Sequence, residues 1–129
     1  MASIFVMTGD QTGDYYPLGR RTNVIGRDEA LLIQILDDRV SRKHMRIGFD
    51  ASTGRHYVAD MHSRHGVFVN SNKIADETVL NDGDYITIGG TSLLFTEKDF
   101  DDHESALSHF KKVGERERPT QVSQEEQKQ

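Results

Sequence analysis

Before residue 97 no segment shows a convincing 3.6-residue apolar period. What recurs, every 8–12 residues, is a short β-prone run closed by turn residues. Strands are predicted at Ile4–Met7, Tyr16–Leu18, Asn23–Ile25, Leu32–Ile35, Met45–Phe49, Tyr57–Ala59, Val67–Val69, Asn72–Ile74, Tyr85–Ile88 and Ser92–Thr96. The breaks between them carry specific turn chemistry. Thr8-Gly9-Asp10, Ser52-Thr53-Gly54 and Asn81-Asp82-Gly83-Asp84 supply Gly for positive φ and side chains that bond their own backbone. The run from Val67 to Ile74 reads as a tight hairpin around Asn70-Ser71. Many short strands joined by tight turns imply an all-β sandwich or a closed barrel.

After Thr96 the pattern changes. Residues 98–129 hold only six apolar residues (Phe100, Ala106, Leu107, Phe110, Val113 and Val122) and end in Gln-Glu-Glu-Gln-Lys-Gln. A composition shift of this kind places a domain boundary near Glu97. Asp101 and Glu104 have capping-box spacing, and Phe100, His103, Leu107 and Phe110 recur on one helical face. Lys111-Lys112 precede Gly114 as they would at a helix end. The expected organisation is a β-domain over 1–97, a short C-terminal helix over 98–114 and a disordered tail over 115–129. A helix of that length is too short to be stable alone.

Charge narrows the function. The chain has 16 Lys and Arg against 21 Asp and Glu, a formal net charge of -5. That argues against coating duplex nucleic acid, which usually requires a basic face. The bases are not spread evenly. Of the ten in 1–97, all but Lys73 lie between Arg20 and Arg64: Arg20, Arg21, Arg27, Arg39, Arg42, Lys43, Arg46, Arg55 and Arg64. There is no cysteine, so disulfides, zinc-thiolate sites and thiol nucleophiles are excluded. Met1 to Arg20 shows no basic n-region and no apolar run of export length, and no apolar run is long enough to span a membrane, so no membrane partner and a cytoplasmic location are expected.

Three turn segments carry the candidate chemistry: Gly26-Arg27, Ser41-Arg42-Lys43-His44 and Ser63-Arg64-His65-Gly66. A phosphate dianion needs cations, hydroxyl donors and free backbone N–H groups on fixed loops. Loops at one end of a sandwich converge, so three of them could present Arg, Ser and Arg to one point. Solvated turn residues are the plainer reading of the same residues.

Four blocks, in order, decide between these. They are Gly26-Arg27; Asp38 to His44; Asp60 to Asn70; and Leu80 to Gly89. Together, over about Ile4 to Thr96, they strongly resemble the forkhead-associated (FHA) domain. The resemblance implies an eleven-strand β-sandwich that reads phosphothreonine peptides at one end, without catalysis and without a cofactor. It implies phosphate contacts for Arg27, Ser41 and Arg42, with Arg64 at a position that reaches the phosphate. It gives Arg27 a second role on the peptide backbone. Gly26 matches the glycine that lets Arg27 project. His44 matches a histidine that supports the loop by internal hydrogen bonds, and Ser63 and Gly66 match the turn that presents the next loop. Two positions depart from the family pattern. His65 stands where Asn usually bonds the bound peptide's main chain, and Val67 stands where Thr is usual. A neutral imidazole can donate at one nitrogen and accept at the other, so His65 can supply part of the peptide-backbone contact. Val67 keeps the β-branched shape, which suggests a framework role.

Competing readings are weaker. Asp60, His62 and His65 do not match an ordinary metal-ligand spacing, so no metal is expected. Ser41 and His44 lie three apart in a loop, and the resemblance accounts for both without hydrolysis. Thr8 to Asp14 is Gly-rich but lacks the Gly-Lys-Ser/Thr of a P-loop. An oligonucleotide-binding barrel would need aromatic stacking platforms, and the aromatics fall mostly at core positions. The partner expected is therefore a phosphothreonine-containing protein. The alternative is docking of a non-phosphorylated protein, or of the chain's own C-terminal tail. In that tail Thr120 follows Arg116-Glu117-Arg118-Pro119 as a candidate phosphosite.

Overall fold

The computed structural model describes residues 2–98. Eleven strands follow one another: β1 (Ser3–Val6), β2 (Tyr15–Pro17), β3 (Asn23–Gly26), β4 (Ile33–Gln34), β5 (Met45–Asp50), β6 (Arg55–Asp60), β7 (Val67–Val69), β8 (Asn72–Lys73), β9 (Thr78–Val79), β10 (Tyr85–Ile88) and β11 (Thr91–Thr96). They form two sheets, one of six strands in the order β2-β1-β11-β10-β7-β8 and one of five in the order β4-β3-β5-β6-β9. All neighbours are antiparallel except β3 and β4.

Period-two alternation builds the core. Ile25, Met45, Ile47 and Val58 from the five-stranded sheet pack with Ile4, Val6, Val67, Val69, Ile86, Ile88, Leu93 and Phe95 from the six-stranded one. Their neighbours Val24, Arg46, Tyr57 and Thr87 alternate to the other faces and remain partly exposed. Burying side chains of this size contributes about 1.5–3 kcal/mol each, so register is fixed by these residues.

The strand ends sort into two groups. The end of β3, the start of β5, the end of β6 and the start of β7 lie at one end of the sandwich, with the β10–β11 turn. The β5–β6 hairpin lies at the opposite end, with the Ser3↔Thr96 pairing of β1 and β11. The expected all-β sandwich of about eleven strands is what the chain adopts. Ten of the strands coincide, within a few residues, with those predicted; β9 was not predicted. It is a two-residue edge strand with Val79 half exposed, too short to show alternation. The strand expected from Leu32 is reduced to Ile33–Gln34, and Leu32 is 84% exposed. At the predicted hairpin, Asn70 and Ser71 both have positive φ (49° and 72°), as a two-residue primed turn requires. Apart from Lys98, the helix expected over 98–114 lies outside the described residues, as do the tail over 115–129 and Thr120.

Candidate functional site

Three loops meet at the first of these ends, and Ser41 ties them together. Its carbonyl accepts the N–H of Arg27 at 3.0 Å, which fixes the β3–β4 loop against the β4–β5 loop. Its hydroxyl oxygen accepts the N–H of Arg64 at 3.0 Å, which fixes the β6–β7 loop. Its own N–H donates to Nδ1 of His44 at 2.9 Å. The hydroxyl oxygen is used here as an acceptor, and its proton has no acceptor among the bonds of the described residues, so it remains available for donation.

His44 is fully buried beneath this junction. Its Nε2–H donates to the carbonyl of Gly66 at 2.7 Å. The two partners together set the tautomer, with the proton on Nε2 and the lone pair on Nδ1. The imidazole thus spans from the β4–β5 loop to the β6–β7 loop. Ser63 closes the second loop on itself. Its N–H donates to Asp60 Oδ1 at 3.1 Å, and its Oγ accepts the N–H of Gly66 at 2.9 Å.

Gly26 is required by close approach, not by turn conformation. It ends β3 with an ordinary φ, and a Cβ built there would lie 2.1 Å from the Arg42 carbonyl oxygen and 2.8 Å from that of Ser41. Only glycine lets the β4–β5 backbone lie this near. Arg27 then emerges exposed. Its Nε donates to Val40 O at 3.0 Å, which leaves the terminal guanidinium nitrogens without a protein partner among the described residues.

Arg42 is exposed and faces Asp28 at 3.5 Å. The Asp28 carboxyl is held below the usual range chiefly by the N–H of Ala30; desolvation opposes this, and the charges of Arg42 and Lys43 add to the lowering. Arg64 and His65 are both exposed, on the rim of the same junction. The structure therefore brings Arg27, Ser41, Arg42, Arg64 and His65 to one end, over the support of Gly26, His44, Ser63 and Gly66. Val67 is buried in the core. His62, next to the rim, holds a positive φ of 57°, a strained state for a non-glycine residue. Among the described residues no three potential metal ligands cluster.

Two site-shaping residues escaped sequence reasoning. Asp37 accepts the N–H of Gly90 and the hydroxyl of Thr91, both at 2.8 Å, and the N–H of Arg39 at 2.9 Å. It thereby anchors the β4–β5 loop to the β10–β11 turn. Gln11 donates to Gln34 O and accepts the N–H of Leu36, bracing the same loop from the β1–β2 turn. Asp37-Asp38-Arg39 carries a local Asx-turn signal, but nothing in it points to Gly90. Beside Arg27 and Arg42 opens a cleft of about 450 Å³, whose other walls are Asp28, Glu29, Gln34, Leu36, Asp37 and Asp38.

Comparison with known proteins bears on this arrangement. The family model of the FHA domain matches residues 23–89. The FHA domain-containing protein FhaA of Mycobacterium tuberculosis is 33% identical over 92 residues, covering 71% of this chain but only 17% of that relative. A solved structure from a study of phosphothreonine-dependent FHA domain interactions has a TM-score of 0.67 at 27% identity, over 77% of this chain and 98% of the other. The crystal structure of the FhaA FHA domain complexed with the intracellular domain of Rv3910 has a TM-score of 0.65 at 28% identity, over 74% and 99%.

Proposed function

The chain belongs to the FHA domain family, and from that premise we propose that it is a non-catalytic adaptor module that binds phosphothreonine peptides and so recruits a phosphorylated protein. The observation that carries this is the Ser41 junction. The Ser41 backbone carbonyl takes the N–H of Arg27 and its hydroxyl oxygen that of Arg64, so a hydroxyl and two arginines with guanidinium ends free among the described residues sit on loops that hydrogen bonds hold to one another. Arginine clusters of this kind recognise a phosphorylated side chain by charge-assisted, partly bidentate bonds.

Arg27, Ser41 and Arg64 take the phosphate in this reading. Arg42 joins them by exchanging Asp28, because an exposed pair at 3.5 Å holds it only weakly. Arg27 and His65 also reach the peptide backbone. Each charge-assisted bond contributes about 1.5–3 kcal/mol, so a few of them favour the phosphorylated peptide by several kcal/mol before desolvation. With the small contact area of a sandwich end, the result is an affinity near the micromolar range, about -8 kcal/mol. Two solved relatives support the reading: one belongs to phosphothreonine-dependent interactions, the other is bound to an intracellular domain.

A second reading, phosphate-independent docking of a protein segment at the same end, is favoured by Leu36, which is 68% exposed on the cleft beside Arg27. Titration with matched phosphothreonine, phosphoserine and unmodified peptides separates the two. The expected outcome is binding only with phosphate, lost in Arg27→Ala. Binding indifferent to phosphate overturns the first reading in favour of the second.

A further inference from the structure

Lys73 is the one base of the β-domain that lies outside the stretch from Arg20 to Arg64. It sits in β8, opposite Phe68, at the edge of the six-stranded sheet. Its side chain nevertheless lies over the β6–β7 loop. A Cβ built on Gly66 would meet Lys73 Cε at 2.7 Å, and its Cδ and Nζ at 3.5 Å each. Gly66, at φ +87°, is itself held at both ends: Ser63 Oγ takes its N–H and His44 Nε2 donates to its carbonyl. The lysine stem therefore crosses a fixed piece of backbone. Chain geometry then puts the ammonium within about 9 Å of the His65 Cα.

The ammonium itself is exposed, and no carboxylate pairs with it among the described residues. In this it differs from Arg39, Arg42 and Arg46, which face Asp37, Asp28 and Glu77. A stem lying on a glycine explains the methylenes, which cover backbone. It does not use the charge, which is left beside the β6–β7 loop that carries Arg64 and His65.

The opposite flank has the reverse sign. The cleft beside Arg27 and Arg42 is walled by Asp28, Glu29, Asp37 and Asp38. A ligand carboxylate there meets like charge, whereas one on the β6–β7 side meets Lys73.

We propose that Lys73 is a specificity-determining residue that reads an acidic side chain flanking the phosphothreonine, on one side of it only. The proposal rests on the phosphopeptide reading of the site and adds to it the class of peptide preferred. Lysine suits this task as a compact point charge on a flexible stem that tolerates either Asp or Glu.

The test walks one glutamate along an otherwise alanine phosphothreonine peptide, from three residues before the phosphothreonine to three after. The expected result is a gain of about 2–5-fold at low salt for one or two positions on a single side, shrinking as salt rises. Lys73→Met keeps the stem over Gly66 and is expected to abolish that gain, and Lys73→Arg to retain it. A gain that persists in Lys73→Met, or a wild type that binds every phosphopeptide alike, overturns the role of Lys73 and leaves the phosphate site standing. A wild type that does not distinguish phosphorylated from unmodified peptide overturns the site itself, and this inference with it.

Discussion

The turn at residues 51–54 and the loops of the site are built on opposite plans, although Arg55 and His56 beside that turn also reach Leu80 and Gly19. The β5–β6 hairpin closes with bonds that stay inside one turn. Asp50 Oδ1 takes the N–H and the hydroxyl of Ser52, and its carbonyl takes the N–H of Gly54 at 2.8 Å. The site end closes with bonds between loops far apart in the chain. Ser41 Oγ takes an N–H 23 residues away, His44 reaches a carbonyl 22 residues away, and Asp37 takes an N–H 53 residues away. A self-contained turn forms by itself and fails by itself. Loops tied to one another as well as to themselves gain and lose rigidity together. Such mutual support keeps donors aimed at a ligand without filling the space the ligand needs.

The largest test of that contrast is His44→Ala. It strips the partner from the N–H of Ser41 and from the carbonyl of Gly66 at a fully buried site. Each unmet polar group costs about 1–3 kcal/mol, so a loss of about 2–6 kcal/mol in urea unfolding is expected, together with loss of phosphopeptide binding. Binding that survives in the folded variant would show that the loops do not depend on one another.

A smaller pair of changes sharpens the comparison. Ser41→Ala removes the acceptor for Arg64 N–H and the outward hydroxyl. It is expected to cost about 1 kcal/mol of stability and to weaken phosphopeptide binding by about 10–100-fold. Asp50→Ala removes a comparable set of turn bonds, and a loss of stability in the same direction is expected. Its affinity should stay within about twofold of wild type, within ordinary variation between surface variants. Calorimetric titration of both decides the matter, and equal losses of affinity would erase the distinction between the ends.

The same contrast explains what could be read from the residues alone. The hairpin at Ser52-Thr53-Gly54 was legible because its signal and its partners share one short segment. So was the Asn70-Ser71 turn, and so were the strands whose inward residues alternate, such as Met45 and Ile47. β9 was not, since Thr78–Val79 offers two residues and no period. Arg27, Ser41 and Arg64, and their meeting, were legible through resemblance to a family, but the bonds that assemble them were not, because those bonds cross tens of residues. Gly26 shows the limit most plainly. Its place was readable, yet the reason for it is the carbonyl of Arg42, which no local pattern announces.

Acid titration supplies the finest version of the comparison. For Asp37, burial pushes the carboxyl upward, but the N–H of Arg39, the hydroxyl of Thr91, the N–H of Gly90 and the Arg39 charge together outweigh it. The net position is below the ordinary range. Asp50 is also held low, first by the hydroxyl and then by the N–H of Ser52. Both are depressed in the folded state, so the sign is the same for each. Their contribution is fully present above the unfolded value of about 3.9 and is lost as pH falls through the folded value. What differs is where the loss is felt. Protonating Asp50 should move the amide of Ser52 and little beyond its own turn. Protonating Asp37 should move the amides of Arg39 and Gly90 together, although they lie in loops 51 residues apart. Amide shifts followed by NMR from about pH 5 downward test this. A Gly90 amide that ignores the titration seen at Arg39 would mean that Asp37 does not join the two loops.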